Sequence, residues 1–398
     1  MRSWEKIPIK ESTKPEKLKV FEAFSGIGAQ NAALKKIGIN YEVVGTSDWF
    51  INAIIAYDAL HCSGNPLDFE IPSTEKQIQE LEKFNFSIDS QKPLKDIKSL
   101  SADVIQKLYI AHKRSKNYGS ITDISGDDLP RINLLIYSFP CQDLSTGGNG
   151  DGMKKNSGTR SSMIWHIGNI LKTLGRRKKL PEYLLMENVP AIASDRYKKD
   201  FAKWKGLLSR LGYKNDWTFV LDASKFGVPQ DRCRLFMVSH LGSRLNVYKK
   251  INQKEWDGRI EDFLRFDYSN PKLKAEADEA SLNLTPSREV MWKINKREPP
   301  FTDLIHTITC NMDRTHCAAL FKYGDKIRRP TIREAFLLMG FSEEDYEKVD
   351  ALGFSYRQKN KLIGNAIVVP VLEEVFRAMF QGTKYMANTG ADNSEEIS

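Results

Sequence analysis

Residues 132–142, INLLIYSFPCQ, decide the fold of this chain. Five of the first six are apolar or aromatic and turn-forming residues bound them, which predicts a strand buried on both faces of a parallel sheet. Ligands of such sheets bind beyond the carboxyl ends of the strands, so a strand that stops at Pro140 would present the thiol of Cys141 to a substrate. Free cysteine is more often a small buried residue. The segment by itself therefore leaves open both a nucleophile and a packing role for Cys141.

Composition narrows the class of protein. The chain has 398 residues, enough for two domains, and its formal charge of +9 favours a polyanionic partner, with a generally basic surface as the alternative. Its five cysteines are an odd number without a CxxC pair, which argues against a disulfide framework and for a reducing compartment. No apolar run has the length of a signal-peptide core or a membrane span, so we expect a cytoplasmic protein that binds no membrane.

The segment that starts at Leu18 predicts a cofactor site. LKVFEAFSGIGAQNAALKKIG has the pattern of a strand, a tight loop and an amphipathic helix, as at the start of nucleotide-type α/β domains. Gly26 and Gly28 let the backbone turn and a ligand approach. A second apolar run, YEVVGTS, leads to Asp48 about twenty residues after the loop, where an acid can accept hydrogen bonds from ribose hydroxyls. Together these features predict an adenosine-containing cofactor, on whose adenine Phe24 would stack unless it is an ordinary core residue.

Three further segments place polar side chains at the ends of predicted strands. SITDIS predicts a short strand, where Asp123 would bind an adenine amino group or cap a helix. YLLMENV predicts a buried strand that ends in Glu187, either a general acid near the sulfur or a structural hydrogen-bond acceptor. In QDRCRLFMV, arginines two apart on a strand point the same way. Arg232 and Arg234 would therefore aim two guanidinium groups into one cleft, or form salt bridges at the strand entrance.

Changes in composition along the chain also predict where its domains begin and end. After His240 it becomes polar and basic with interleaved aromatic residues, which predicts a second, smaller domain suited to nucleic acid. The glycine-rich stretch after Cys141 has the composition of a lid that closes over substrate, or of a surface loop. The predicted division is a flexible arm at 1–17, a catalytic and cofactor domain at 18–242 with an insertion at 66–120, the second domain at 243–345, a return to the first domain at 346–383, and a disordered tail at 384–398.

Histidine and cysteine are clustered in the predicted second domain. His306, Cys310, His316 and Cys317 invite a zinc interpretation, but their spacing fits no standard zinc finger. We therefore expect no metal site.

Seven segments follow one another in a characteristic order: FEAFSGIG, SDW, SFPCQDLS, MENV, QDRCR, RPTIREAFLLMGF and LIGNAIVVPVLEEV. This series resembles the motifs of bacterial DNA cytosine-C5 methyltransferases. SFPCQDLS, the TRS triplet around Arg160, YLLMENV and the long insertion are especially similar to the mollicute CG-modifying members. The resemblance implies an α/β fold, with a Rossmann-like S-adenosylmethionine-dependent methyltransferase sheet and a smaller target-recognition domain at 243–345. The likeness fades in that domain, so CG specificity is not implied.

The resemblance also implies roles for single residues. Cys141 would be the nucleophile that adds to C6 of a cytosine, and Glu187 would share a proton with N3. Asn188 would help to hold that geometry, while Arg234, with Arg232, would bind the base O2 and orient the acid. S-adenosylmethionine would contact Phe24, Ser25, Gly26, Ile27, Gly28, Asp48, Trp49, Asp123, Ile124, Ser138, Pro140, Met163, Asn365 and Ala366. DNA would contact Gln142, Ser145 and Arg160.

The expected partner is double-stranded DNA, from which the target cytosine must swing out to reach the site. We expect a monomer, either an orphan enzyme or one half of a restriction system whose endonuclease acts separately. One rival is the same chemistry on transfer RNA, which a eukaryotic branch of the family performs. A second rival is a non-catalytic DNA-binding protein on the same scaffold, against which the intact Cys141, Glu187, Arg234 and Gly26 argue.

Overall fold

The computed structural model describes residues 15–64, 66–140, 144, 152–154, 159–294, 304–312 and 317–386. Four of the residues singled out above, Cys141, Gln142, Ser145 and His316, lie outside these ranges.

A seven-stranded sheet forms the centre of the fold. The strands of the first part of the chain are β1 (Leu18–Ala23), β2 (Tyr41–Ser47), β3 (Leu134–Tyr137), β4 (Tyr183–Asn188), β5 (Lys214–Asn215), β6 (Phe219–Asp222), β7 (Gln230–Asp231) and β8 (Cys233–His240). All but β7 belong to the sheet, in the order β2-β1-β3-β4-β8-β5, with β6 also paired to β8. The first four strands in this order are parallel, and β8 is antiparallel to β4. The predicted parallel sheet is thus confirmed through β4.

Helices cover both faces of this sheet. The first six are α1 (Ala29–Lys36), α2 (Ile51–His61), α3 (Thr74–Leu81), α4 (Ala102–Arg114), α5 (Ile164–Arg176) and α6 (Lys198–Arg210). Because side chains alternate across a strand, Leu134 and Ile136 of β3 join a core with α1 and α2. Leu135 and Tyr137 join a second core with α5 and α6. This double cover explains why the central strands are apolar without interruption.

The predicted insertion builds a third core on α2. Leu81 of α3 and Leu108 of α4 pack against Ile51 and Ile55. Because the other side of α2 packs on the sheet, this helix is buried almost all round and lacks a polar face. Among the described residues, no helix is both long and apolar enough to cross a membrane.

The remaining chain adds short elements and then four helices. They are α7 (Val247–Lys250), α8 (Pro271–Ala280), β9 (Ser281–Leu282), α9 (Pro286–Ile294), β10 (Ile305–His306), β11 (Phe321–Tyr323), β12 (Lys326–Arg328), α10 (Ile332–Leu338), α11 (Glu343–Asp350), α12 (Tyr356–Asn365) and α13 (Val369–Phe380). Single 3-10 turns lie at Ile97–Ser99, Arg160–Met163, Pro190–Ala193, Ala223–Lys225 and Ile260–Phe263. The segment TIREAFLLMGF predicts a capped helix, and this is confirmed as α10, whose capping box joins Thr331 and Glu334.

The predicted second domain is only partly separate from the first. Leu282, Trp292, Cys317 and Leu320 form a small core of their own. Val247 and the residues around Ile308, by contrast, belong to the core beneath the main sheet.

Three local expectations differ from the structure. SITDIS forms turns and no strand, because the Ser120 hydroxyl lies 2.8 Å from that of Thr122 and such local polar bonds compete with strand pairing. The Gly-Asn pair of LIGNAIVVP predicts a turn before the last helix, but in the structure it ends α12 and does not form a separate turn. The chain also stays packed beyond Lys384, since the ring of Tyr385 is buried and its hydroxyl donates to Glu182 Oε2 at 2.9 Å.

A fully buried ion pair joins β12 to α10. Arg328 Nη1 and Nη2 each lie 2.8 Å from an oxygen of Glu334, and Arg328 Nε donates to the Tyr268 hydroxyl at 2.9 Å. The Glu334 carboxylate also accepts the backbone N–H groups of Thr331 and Arg265, each at 2.8 Å. These hydrogen bonds therefore compensate both charges, although the ion pair is shielded from solvent.

We expect Arg328→Met to destabilise the protein by about 3–5 kcal/mol, because it leaves the buried Glu334 carboxylate without its cation. Urea unfolding measures the change. Lys326→Met, at an exposed position of the same strand, is the matched control and should change stability by less than about 0.5 kcal/mol. Equal effects of the two substitutions would show that the ion pair is unimportant.

Candidate active site

The tips of the neighbouring parallel strands β3 and β4 are tied together. Tyr137 pairs with Met186, so the residues that follow each strand emerge side by side. The Ser138 hydroxyl donates to Glu187 Oε2, and Asn188 Nδ2 donates to the carbonyl of Phe139 at 2.9 Å. The segment that leads to Cys141 is thus fixed against the predicted acid.

Pro140 is the last described residue before Cys141. It lines the same cleft as Glu187 and Ser138, and its carbonyl accepts a hydrogen bond of 2.8 Å from Ser161 Oγ. The arrangement of Cys141 relative to Glu187 lies outside the described residues and stays a prediction.

Glu187 is buried next to the guanidinium of Arg234. Its side chain is 6% exposed, and its Oε1 lies 3.3 Å from Nε of Arg234 on β8. Arg234 also donates through Nη1 to the carbonyl of Cys233 at 2.8 Å, which orients the guanidinium. A carboxylate held between a serine hydroxyl and an arginine leaves its charge balanced and its position fixed. Such a carboxylate can accept a hydrogen bond from the edge of a polar ring.

Arg232 does not share this environment, although it lies two residues away and lines the cleft. It is 4% exposed, and its guanidinium donates to the carbonyls of Ile308 at 2.6 Å, Gly364 at 3.2 Å and Ala366 at 2.8 Å. These hydrogen bonds direct the Arg232 guanidinium to backbone carbonyls. The expectation that both arginines aim at the substrate is therefore not met for Arg232. These bonds support a positioning role, in which Arg232 holds two distant segments against β8.

The glycine loop after β1 is fixed by a partly buried acid, Asp48. The N–H of Gly26, at φ +55°, donates to Asp48 Oδ2 at 2.9 Å, and the N–H of Phe50 donates to Asp48 Oδ1 at 2.8 Å. Burial is the main reason that the pKa of Asp48 lies above its ordinary value, and these backbone hydrogen bonds oppose the shift. Gly28, at φ +77°, admits no side chain, because a Cβ there would lie 2.4 Å from the ring of His61. The loop is thus built before any ligand arrives.

The cleft collects most of the predicted cofactor residues. Those that line it are Phe24, Ser25, Gly26, Ile27, Asp48, Trp49, Ser138, Pro140, Met163, Asn365 and Ala366. Arg160 lines it as well, beside Met163.

Asp123 and Ile124 are not among the lining residues. The Asp123 carboxylate accepts hydrogen bonds from Asn85 Nδ2 at 2.7 Å and from the Thr122 hydroxyl at 2.9 Å, and Ile124 packs on the core near α5. Gly28 also lies behind the loop and outside the lining.

Several lining residues had escaped the sequence reasoning. Ser120 and Ile121 line the cleft just before Asp123, and a closer reading of that turn could have found them. Ser90 comes from the insertion, at φ +56°, and no sequence signal marks it. Gln30 and Ile367 extend the predicted loop and the predicted far side by one or two residues each.

Close packing sets the far wall of the cleft. Gly364 lies against another chain segment, because a Cβ there would come within 2.3 Å of the Thr309 carbonyl carbon. The thiol of Cys310 lies 2.7 Å from Asn365 Oδ1. The end of α12 is therefore held where Asn365 and Ala366 border the cleft.

The cleft and its polar corner thus share the carboxyl edge of a Rossmann-like sheet, as in S-adenosylmethionine-dependent methyltransferases. The family model for C-5 cytosine-specific DNA methylases matches residues 97–297 and 283–381. The chain belongs to this family, and it is a DNA cytosine-C5 methyltransferase that uses S-adenosylmethionine.

Comparison with individual proteins supports the same family assignment. The chain is 35% identical over 391 residues to the orphan methyltransferase M.SssI of Spiroplasma monobiae, covering 92% of this chain and 98% of that protein. It is 32% identical over 385 residues to the type II methyltransferase M2.ScrFI of Lactococcus lactis subsp. cremoris, covering 92% and 99%. Among solved structures, the S. pombe Dnmt2 methyltransferase matches with a TM-score of 0.60 at 19% identity, covering 90% of this chain and 97% of that one. This last likeness concerns the fold alone.

The donor set of the cleft fits this cofactor. A Cβ at Gly26 would meet nothing within 4 Å, so the backbone there borders open space that a ligand can fill. Asp48 supplies a partly buried acid for hydroxyl groups, and Phe24 and Trp49 supply aromatic surface.

We expect Arg232→Met to lower thermal stability more than Arg234→Met does. The first change leaves up to three backbone carbonyls without a buried donor, at roughly 1–3 kcal/mol for each unsatisfied group. The second removes one ion pair beside the cleft. Differential scanning calorimetry of both variants makes the comparison, and an equal or reversed order would refute the positioning role of Arg232.

Proposed function

We propose that this methyltransferase works through a covalent bond between Cys141 and C6 of a cytosine that has swung out of duplex DNA. The observation that supports this most directly is the corner at the tips of β3 and β4. There Glu187 is held by Ser138 and Arg234, next to the residues that lead to Cys141.

Covalent activation is needed because C5 of cytosine is a poor nucleophile in the aromatic ring. The thiolate of Cys141 adds to C6, and the ring electrons move toward N3. Glu187 shares a proton at N3 and so neutralises the charge that develops there. C5 becomes electron-rich and would take the methyl group from the sulfonium of S-adenosylmethionine, whose S–CH3 bond breaks to leave S-adenosylhomocysteine. A base or water then removes the C5 proton, the C6–S bond breaks, and the thiolate is restored.

The other residues of the corner orient the reacting groups. Arg234 holds the carboxylate of Glu187 and would also bind the base O2. Asn188 keeps the Phe139 carbonyl, and with it the approach to Cys141, in register with β4. Arg232 acts at a distance, through the segments that it binds.

S-adenosylmethionine supplies an electrophilic methyl group on a sulfonium. Phe24, Asp48 and Trp49 would hold its adenosine, while Asn365 and Ala366 would close the opposite side. Asp48 has both carboxylate oxygens engaged by the backbone, so any ribose contact would use its remaining lone pairs.

The rim of the cleft is cationic where DNA would approach. Burial is the main reason that the pKa of Lys361 lies below its ordinary value; the charges of Cys310 and Asp89 oppose this shift, and those of Arg357 and Arg160 add to it. Within the described residues, neither Arg160 nor Arg357 has a carboxylate partner. We infer that this rim, with Gln142 and Ser145, binds the phosphates that flank the extruded nucleotide.

Cys141→Ser should abolish methylation, because the hydroxyl is far less nucleophilic than a thiolate. Wild-type protein should also form a complex that survives sodium dodecyl sulfate with DNA containing 5-fluorocytosine, since fluorine at C5 blocks proton removal and traps the adduct. The variant should form none. A Cys141→Ser protein that still methylates would disprove the covalent mechanism.

Glu187→Gln should slow methyl transfer by about 10²- to 10⁴-fold, because an amide cannot exchange a proton with N3. Single-turnover kinetics measure the rate, and the affinity for S-adenosylhomocysteine should change little. A normal rate would contradict the proton-sharing role.

Bisulfite sequencing of DNA from cells that express the protein tests substrate and target sequence together. The expected result is 5-methylcytosine at one recurrent sequence. Methylation of transfer RNA alone in a parallel assay would overturn the DNA assignment.

We further propose that the protein is a monomer and that it acts in the cytoplasm, since its thiols suit a reducing compartment. Any cognate endonuclease would act separately.

Arg160→Ala should weaken DNA binding and reduce the slope of log affinity against log salt by about one phosphate contact. Lys35→Ala, at the exposed end of α1 remote from the loop, is the matched control and should leave the slope unchanged. Identical slopes for both variants would rule out a phosphate contact by Arg160.

A further inference from the structure

We propose that a loop of the insertion, residues 86–94, is held across one side of the cofactor cleft by Lys361 and thereby slows release of the cofactor. Ser90 of this insertion loop would contact the ligand, and Lys361 would be a positioning residue that acts through the loop. The inference rests on the proposed cofactor cleft and gives the insertion a function in it.

The insertion loop is closed at its base and stiffened from within. The N–H of Leu94 donates to the carbonyl of Phe86 at 2.7 Å. Asp89 Oδ1 accepts the N–H groups of Gln91 and Lys92, at 2.7 and 2.9 Å. A compact loop with its ends joined and such internal hydrogen bonds can move as one unit and present a fixed surface.

Ser90 has an uncommon backbone conformation at the place where the insertion loop borders the cleft. Its φ of +56° lies in the left-handed region, which residues other than glycine seldom adopt. Such residues are found preferentially where a site holds a ligand, because the surrounding contacts keep them in place. We infer that Ser90 is kept in this conformation for a contact with the ligand.

The insertion loop is attached on one side to the segment that follows β2. The N–H of Ser87 donates to the carbonyl of Trp49 at 2.7 Å, and the carbonyl of Ser87 accepts the N–H of Ile51 at 3.0 Å. Trp49 belongs to the part of the cleft proposed for adenosine. The insertion loop therefore lies beside the adenosine of the bound cofactor.

A second attachment joins the insertion loop to the opposite wall. Lys361 Nζ donates to the carbonyl of Asp89 and lies 5.3 Å from the centroid of the Phe50 ring. Lys361 belongs to α12, whose end forms the far wall of the cleft. One half-buried ammonium thus joins three segments of the cleft mouth. Because its acceptor is a main-chain carbonyl, the charge-assisted bond fixes the backbone directly before Ser90.

These two attachments have different consequences when they are lost. The pairing of Ser87 with Trp49 and Ile51 is part of the fold after β2. The bond from Lys361, by contrast, can break while that pairing stays intact, so that the insertion loop moves away from α12 without unfolding of the sheet. We therefore expect loss of this bond to speed cofactor release and not to slow cofactor entry.

Stopped-flow measurement of S-adenosylhomocysteine release tests the role of Lys361. Lys361→Met should raise the dissociation rate by about 5- to 10-fold, because it removes a charge-assisted hydrogen bond and keeps most of the side-chain volume. The association rate should not fall. 5′-Methylthioadenosine should show the same change, since the insertion loop lies on the adenosine side. The absence of DNA separates this effect from phosphate binding at the rim.

Arg357→Met is the matched control, because it removes a positive charge from an exposed position one turn earlier on the same helix. Its dissociation rate should stay within about 2-fold of the wild-type value. An equal rise in both variants, or no rise in Lys361→Met, would overturn the role of Lys361.

Two substitutions test the contact by Ser90. Ser90→Ala and Ser90→Gly both remove the hydroxyl, and only glycine also relieves the positive φ. A rise of about 3-fold or more in the dissociation rate of both variants is expected from a lost hydrogen bond. Wild-type rates in both would remove Ser90 from the ligand contacts.

Hydrogen–deuterium exchange of the wild-type protein provides a test that needs no variant. S-adenosylhomocysteine should slow amide exchange in residues 86–94, because the ligand and the insertion loop hold each other in place. Unchanged exchange in a protein that binds the ligand would overturn the proposal and leave the cofactor cleft intact. Failure of the wild-type protein to bind either ligand would overturn the cleft itself.

Discussion

The structure depends on one short segment, QDRCR at residues 230–234, whose alternate side chains hold distant parts of the chain together. Gln230 is fully buried and bonds to the Leu338 carbonyl and the Ile308 N–H, at 3.0 Å each. Arg232 binds the carbonyls of Ile308, Gly364 and Ala366. Arg234 reaches the predicted acid. Alternate residues of this segment, which joins β7 to β8, thus supply two clamps and one site residue.

The clamps explain how a cleft can be assembled from segments far apart in sequence. The carboxyl edge of the sheet supplies the glycine loop, Asp48 and Glu187, but it leaves one side open. The end of α12 closes that side, and Gly364 can approach so near only because it has no side chain. Arg232 fixes this approach by satisfying two of the carbonyls at the helix end. The precision of the cofactor cleft therefore depends on a buried guanidinium that has no need to touch the cofactor.

Sequence reasoning worked best where the local pattern and the fold require the same residues. The apolar runs of β1, β3 and β4, the glycine loop and the acid after β2 were predicted because each carries its own signal of burial or turn. Asp123 was less predictable, because a short polar turn can direct a carboxylate into a cleft or toward a neighbour such as Asn85. Arg232 shows the same difficulty. Its partners lie 76 and more residues away, and nothing within QDRCR states that its donors are used by the backbone.

The insertion shows why a charged surface segment can still belong to a site. The backbone of Ser87 pairs with Trp49 and Ile51, at 2.7 and 3.0 Å, so its loop lies directly after Asp48. The carbonyl of Asp89 accepts a hydrogen bond from Lys361 on α12, and Ser90, the next residue, borders the cleft. The loop thus bridges the two halves of the cleft mouth, from the end of β2 to the helix that Arg232 holds. The composition of such residues predicts that they are exposed to solvent. Only long-range backbone pairing, which composition does not encode, makes them part of the cleft wall.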